Sequence, residues 1–201
     1  MEPSCRWPLP GLPRVYIAGR FTQTDRGFER ESTTPHLIIH LFAVRASIRI
    51  GGETFDVEPG DLTITPADIP ERFAMTGNGL HWAVRIVPVP ALRQDGLVLP
   101  LHRHLGARAA EARRRIEVIA DDLRSANGDQ EHPGAHAAAA GAQALLCWVA
   151  ALDRDTGPAS SAEVCVDKAT PFWQRLFKLG NIALTTSDKT SMNFLLKAVP
   201  N

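Results

Sequence analysis

The chain has 201 residues, 44% hydrophobic and 22% charged, ordinary proportions for a globular protein with one core and room for an appendage. Its 22 basic side chains are matched by 22 acidic ones, so there is no general attraction to nucleic acid and DNA binding would need a local basic patch. Cys5, Cys147 and Cys165 form neither a CxxC pair nor a disulfide ladder; with no apolar signal region and no membrane-length apolar run, the expectation is a cytoplasmic protein without a membrane partner.

Residues 1–13 hold four prolines and little periodicity, the pattern of an extended arm. Arg14 to Gly19 reads as a first strand, and Thr22 to Thr34 as a polar connection. From His36 to Pro90 the chain breaks into short alternating runs. Leu37, Ile39 and Leu41 alternate with Ile38 and His40, which predicts a strand with one face on a core. Ser47 to Ile50 alternates likewise and ends at the turn Gly51-Gly52. Phe55 and Val57 follow, then Pro59-Gly60-Asp61, then Leu62 and Ile64 up to Pro66. Phe73 and Met75 mark a fourth run; Trp82, Val84 and Ile86 mark a fifth after Gly77-Asn78-Gly79. Period-two runs punctuated by glycine and proline predict an antiparallel sandwich or barrel.

The period then changes. Ala91 to Leu105, with His102 and His104, reads as a linker. From Ala109, the positions Ala112, Ile116, Ile119, Leu123 and Ala126 recur at helical spacing, and Asn127-Gly128 ends the stripe in residues that tolerate a left-handed conformation. After a polar loop, Ala138, Ala142, Leu145, Val149 and Leu152 form a second stripe. Two such helices make an antiparallel hairpin, and apolar residues beside the stripes, such as Leu146 and Trp148, need cover from the barrel or from a second subunit. Arg154 to Ala162 reads as a further linker, with helical spacing in Val164 to Leu179 and a short helix at Thr190 to Lys197.

The succession Gly51-Gly52, short strand, Pro59-Gly60-Asp61, apolar strand, Pro66 resembles the core of cupin jelly rolls. Over roughly Arg14 to Leu152 the chain resembles more closely the N-terminal ligand-sensing part of AraC-type transcription regulators. The resemblance implies an α+β protein: an arm (residues 1–13), a cupin-like antiparallel β-barrel (14–90), a linker with a helical hairpin for dimerisation (91–152), a linker (153–162), and a short helical tail (163–201). In that family a DNA reader with two helix-turn-helix units follows, needing roughly a hundred residues. The tail falls short of this, and its Lys168, Arg175, Lys178, Lys189 and Lys197 are dispersed. DNA is therefore expected as a partner only if the reader is completed or a full-length copy is present.

A barrel mouth is the default pocket. Its expected lining is His40, Arg72, Trp82 and Arg85, a Trp face for stacking and guanidinium forks for hydroxyls or carboxylates, with a sugar among the candidate effectors. A one-residue slip in register would invert these assignments. Ile116, Ile119, Leu123, Leu145 and Val149 are the expected homodimer contacts. No cofactor is expected. Enzymatic cupins hold a metal through a His-x-His pair, a carboxylate and a later histidine. Here Ile38 stands between His36 and His40, no glutamate lies from Val44 to Ile50, and Glu71-Arg72 follows Pro70. The run Arg113-Arg114-Arg115 spreads around its helix beside Glu111, Glu117 and Asp121, a solvated face. The chain carries no nucleophile elbow and no phosphate loop. A non-enzymatic sensor is thus expected, against the alternatives of a free-standing cupin enzyme (an isomerase or a metal-dependent dioxygenase) and a plain cupin binding module.

Overall fold

The computed structural model describes residues 3–8, 11–23, 29–75, 79–87 and 96–152. The expectations for residues 153–201 lie outside them. In chain order the strands are β1 (Ser4–Pro8), β2 (Arg14–Gln23), β3 (Glu29–Ser32), β4 (Leu37–Phe42), β5 (Ala46–Ile50), β6 (Glu53–Val57), β7 (Asp61–Thr65), β8 (Glu71–Met75), β9 (Gly79–Val87), β10 (Gly96–Pro100) and β11 (His102–His104). Helices α1 (Ala109–Ala126) and α2 (Pro133–Ala151) follow. Turn chemistry sets several boundaries. Gly51 at φ +58° closes the β5–β6 hairpin, and Gly60 at φ +93° lets the chain reverse into β7 while its N–H donates to the Phe42 carbonyl at 2.8 Å.

A five-stranded sheet in the order β11-β7-β4-β9-β2 faces a four-stranded sheet in the order β3-β8-β5-β6, and every pair is antiparallel. Between the sheets, Phe42 from the first meets Ile48, Ile50, Val57, Phe73 and Met75 from the second. The outer face of the four-stranded sheet is solvated and carries ion pairs such as Arg72–Glu29 and Arg49–Glu31.

The central strands β4 and β7 of the five-stranded sheet are buried on both sides. All six residues of β4 are buried, where alternation had suggested one core face. The reason is the hairpin: Leu37, Ile39, Leu41, Val84 and Ile86 pack on the outer side against Ala112, Ile116, Ile119, Leu145, Leu146 and Val149. Burying each large apolar side chain contributes about 1.5–3 kcal/mol, so the helices and sheet form one cooperative layer. Helix α1 stops at Asn127 and Gly128, both left-handed at φ +47° and +87°. Helix α2 starts where His132 Nδ1 accepts a hydrogen bond from the Gly134 N–H at 3.0 Å, with Pro133 in its first turn. A side chain at Gly134 would collide with the Asp122 carbonyl and Ser125, so glycine sets how closely the helices approach.

Four corrections follow from this packing. Ile116, Ile119, Leu145 and Val149 are at most 1% exposed within one chain, and Leu123 packs against the same core. Within one chain these four hold the helices to the larger sheet, where a subunit contact was expected, and Leu123 is only partly buried there. The arm at residues 1–13 contains β1, which pairs with β10 along its length, and buried Trp7 donates its indole N–H to Gln143 of α2 at 3.1 Å. The stretch read as a linker after residue 90 supplies β10 and β11, and β11 extends the larger sheet at β7; the polar connection before β4 contains β3. Helix α2 is long and apolar enough, at a mean hydropathy of 1.2, to meet the length and composition of a membrane span, yet its apolar stripe packs on the sheet.

Candidate functional site

The register of the larger sheet selects the side chains that reach its inner face. β4 pairs with β9 so that Ile38 lies opposite Arg85, His40 opposite Ala83 and Phe42 opposite His81. Side chains alternate along a strand, so His40, His81, Ala83 and Arg85 emerge on one side. β2, irregular between Val15 and Ile17, brings Ile17 opposite Arg85 and Phe21 opposite His81. From the smaller sheet, β3 contributes Arg30 and Ser32, and β8 contributes Glu71 and Phe73. These side chains, with Thr22 and Gln23, line a cavity of about 270 Å³ between the sheets.

The polar groups here sit among aromatic rings. His40 and His81 meet edge to face with ring centroids 5.2 Å apart; His40 stacks on Phe73 at 5.9 Å and His81 on Phe21 at 5.7 Å. His40 and Glu71 are each 6% exposed. The Glu71 carboxylate accepts a hydrogen bond from the Thr65 hydroxyl, and its Oε2 lies 3.8 Å from His40 Nδ1. Nδ1 of His40 and Nδ1 of His81 are buried with no hydrogen-bond partner. Burial pushes the His81 imidazole down to about 4, helped by His40 and Arg85. Burial also lowers His40, where Glu71 opposes the shift and Arg85 adds to it. Both rings are therefore neutral at neutral pH, each with a donor or an acceptor to offer according to tautomer. Among the described residues the Arg85 guanidinium has no ion pair.

Of the residues expected at the pocket, His40 and Arg85 line it. Trp82 does not. It lies on the opposite face of β9, 8% exposed beneath α1, where its indole N–H donates to Glu117 at 3.2 Å and the Arg113 guanidinium sits 5.7 Å over its ring. Trp82 and Arg85 are three apart on one strand, so period-two alternation alone separates them. Arg72 is also misplaced: it points to the outer face of the smaller sheet and pairs with Glu29. Glu71, one residue earlier, takes the inward position. His81 and Glu71 are among the lining residues not expected at the pocket, and for His81 the alternation His81, Ala83, Arg85 was the available signal.

A second polar cluster fastens β11. Asp61, 3% exposed, meets His102 Nε2 at 2.9 Å and His104 Nδ1 at 2.6 Å, and accepts the Glu58 backbone N–H at 3.0 Å. Burial alone would raise this carboxyl; the Glu58 N–H and the two imidazoles outweigh it and hold the group below the usual carboxylate range. Among the described residues no group of three or more His, Cys, Asp or Glu side chains is placed to hold a metal ion.

No family model matches the chain, and no curated protein matches it. Among solved structures, the AraC-like transcriptional activator CuxR is similar at 13% identity and a TM-score of 0.38, covering 66% of this chain and 51% of its own, so this chain spans about half its length. A cupin superfamily protein from Desulfitobacterium hafniense is similar at 18% identity and a TM-score of 0.34, covering 42% of this chain and 78% of its own. YcfD, a ribosomal oxygenase from Escherichia coli, is similar at 14% identity and a TM-score of 0.33, covering 60% of this chain and 32% of its own. At such scores these likenesses assign neither an activity nor a ligand to this chain.

Proposed function

We propose that this chain binds a small polar molecule in the cavity between its sheets, as the ligand-sensing part of an AraC-type transcription regulator. The observation that carries the proposal is the pair of buried imidazole nitrogens, His40 Nδ1 and His81 Nδ1, left without partners in a lined cavity. Buried polar atoms are nearly always satisfied, so two orphaned nitrogens on residues that line one cavity call for a ligand or ordered water there. The volume lies near the small end of the range for ligand pockets, about 300–1,000 Å³, which suits a molecule of monosaccharide size. A binding role is favoured over catalysis because an imidazole near 4 and a second one lowered beside it are poor bases at neutral pH.

Signalling in such a regulator requires the ligand to bind two arrangements of the chain with different affinity. The hairpin is suited to report occupancy, since it packs directly on the sheet whose other face lines the cavity. Pairing with a second copy through the hairpin would use its outward residues, such as Val118 at 58% exposure. The test is a thermal-shift screen of monosaccharides and small organic acids against the full chain, repeated on His40→Ala and His81→Ala. Saturable stabilisation that both substitutions weaken supports the proposal. Ligands that stabilise all three proteins equally would place binding elsewhere and defeat it.

A further inference from the structure

Resting on that binding proposal, we infer that the cavity is built for a small organic anion, a carboxylate whose charge is taken by Arg85 and whose remaining polar groups meet His40 and His81. The charge pattern argues this first. Two guanidinium groups, of Arg30 and Arg85, line the cavity against one carboxylate, Glu71. That carboxylate already accepts the Thr65 hydroxyl and sits with its Oε2 toward His40, not in an ion pair with Arg85. Arg85 has no ion pair among the described residues, so among them its positive charge is unmatched. A neutral sugar would leave it unmatched.

The position of Arg85 argues it second. Its partner in register is Ile38 of β4 and, across the other edge of β9, Ile17 of β2, so the residues directly beside it are apolar and offer it no carboxylate. A guanidinium in such a setting gains most from a planar carboxylate that can take two of its N–H donors at once. The imidazoles lie on the same face, His81 on the same strand and His40 one strand away, and being neutral they add hydrogen bonds without adding charge. Phe21 and Phe73, stacked on these rings, provide an apolar wall for the body of the ligand. Among the described lining residues the net is one positive charge, which favours a monoanionic carboxylate over a phosphate dianion.

The test uses charge-matched pairs on the full chain by calorimetry: galacturonate against galactose, and 4-hydroxybenzoate against 4-hydroxybenzamide. At least one acid is expected to bind about tenfold or more tightly than its neutral counterpart, the discrimination typical of a charge-assisted contact. Arg85→Gln should erase that difference, and Arg85→Lys should keep part of it. A far-ultraviolet spectrum and melting curve equal to the parent's would show that the variants fold. Equal or tighter binding of the neutral members overturns the anion inference and leaves the binding proposal standing. Acid binding that survives Arg85→Gln unchanged overturns the role of Arg85. Binding by none of the four at millimolar concentration overturns both.

Discussion

His40 Nδ1 and Glu71 Oε2 lie 3.8 Å apart between the two sheets, both residues nearly inaccessible, close enough for charge to matter and too far for a hydrogen bond. The separation leaves the imidazole nitrogen unclaimed while the carboxylate is steadied by Thr65. It also makes Glu71 the one group that opposes the depression of His40 by burial and Arg85. Glu71→Gln is therefore expected to lower the His40 pKa further, followed by the ring-proton shift of His40 in an NMR titration. The loss in stability should stay within about 1–3 kcal/mol, because the amide oxygen can still accept from Thr65. A His40 pKa that rises in the variant would contradict the arrangement.

Stability should fall on the acid side through these rings. The folded-state pKa of His81, about 4, is below its unfolded value of 6.5, so the folded state binds fewer protons between them. Stability is full above 6.5 and declines as pH falls toward 4, by at most roughly 3 kcal/mol for a shift of this size. His40 adds a loss of the same sign. His81→Phe should flatten this part of the pH profile of urea unfolding, and an unchanged slope would speak against a buried neutral His81.

Truncations in the hairpin stripe should report folding and not association. Ile116→Ala or Leu145→Ala removes a side chain that is fully buried within one chain and is expected to cost about 2–5 kcal/mol. The melting temperature should drop by the same amount at every protein concentration. A drop confined to dilute samples, with a change in mass by light scattering, would return these residues to a subunit interface.

The Asp61 cluster predicts a local effect. Asp61→Ala leaves the Glu58 N–H, His102 and His104 without their acceptor, at a cost of about 1–3 kcal/mol. Amide exchange should accelerate first in β11. Because the folded-state pKa is depressed, the contribution of this carboxylate is present above its unfolded value and is lost as pH falls through the folded one. Exchange in β11 that is unchanged in the variant would show that backbone pairing alone holds the strand.

The parts of this fold written in local chemistry were legible. Period-two runs located the strands from Leu37 to Ile86, Gly51 and Gly60 marked turns, and Asn127-Gly128 ended α1 at the expected residue. The stripes of both helices were visible too, but what they cover was not: a stripe of Ile116 and Leu145 looks the same whether it meets a sheet or a second subunit. Strands β1, β10 and β11 were missed because their pairing is long-range, Ser4 with Pro100 and His104 with Asp61, and carries little local pattern. Of the four residues expected at the cavity, His40 and Arg85 line it, whereas Arg72 pairs with Glu29 and Trp82 lies beneath α1. Nothing local to Glu71-Arg72 says which of the two turns inward, whereas the parity of Trp82 and Arg85 already forbade a shared face.

Occupancy of the cavity is tested most directly by the imidazole nitrogens themselves. With ¹⁵N-labelled protein, long-range proton–nitrogen spectra can be followed during titration with the tightest of the four charge-matched probes. Ligand binding between the sheets predicts that the ring signals of His40 and His81 move together and saturate, while those of His102 and His104 at the Asp61 cluster stay in place. Saturable binding with His40 and His81 unmoved would contradict it and put the ligand outside the cavity between the sheets.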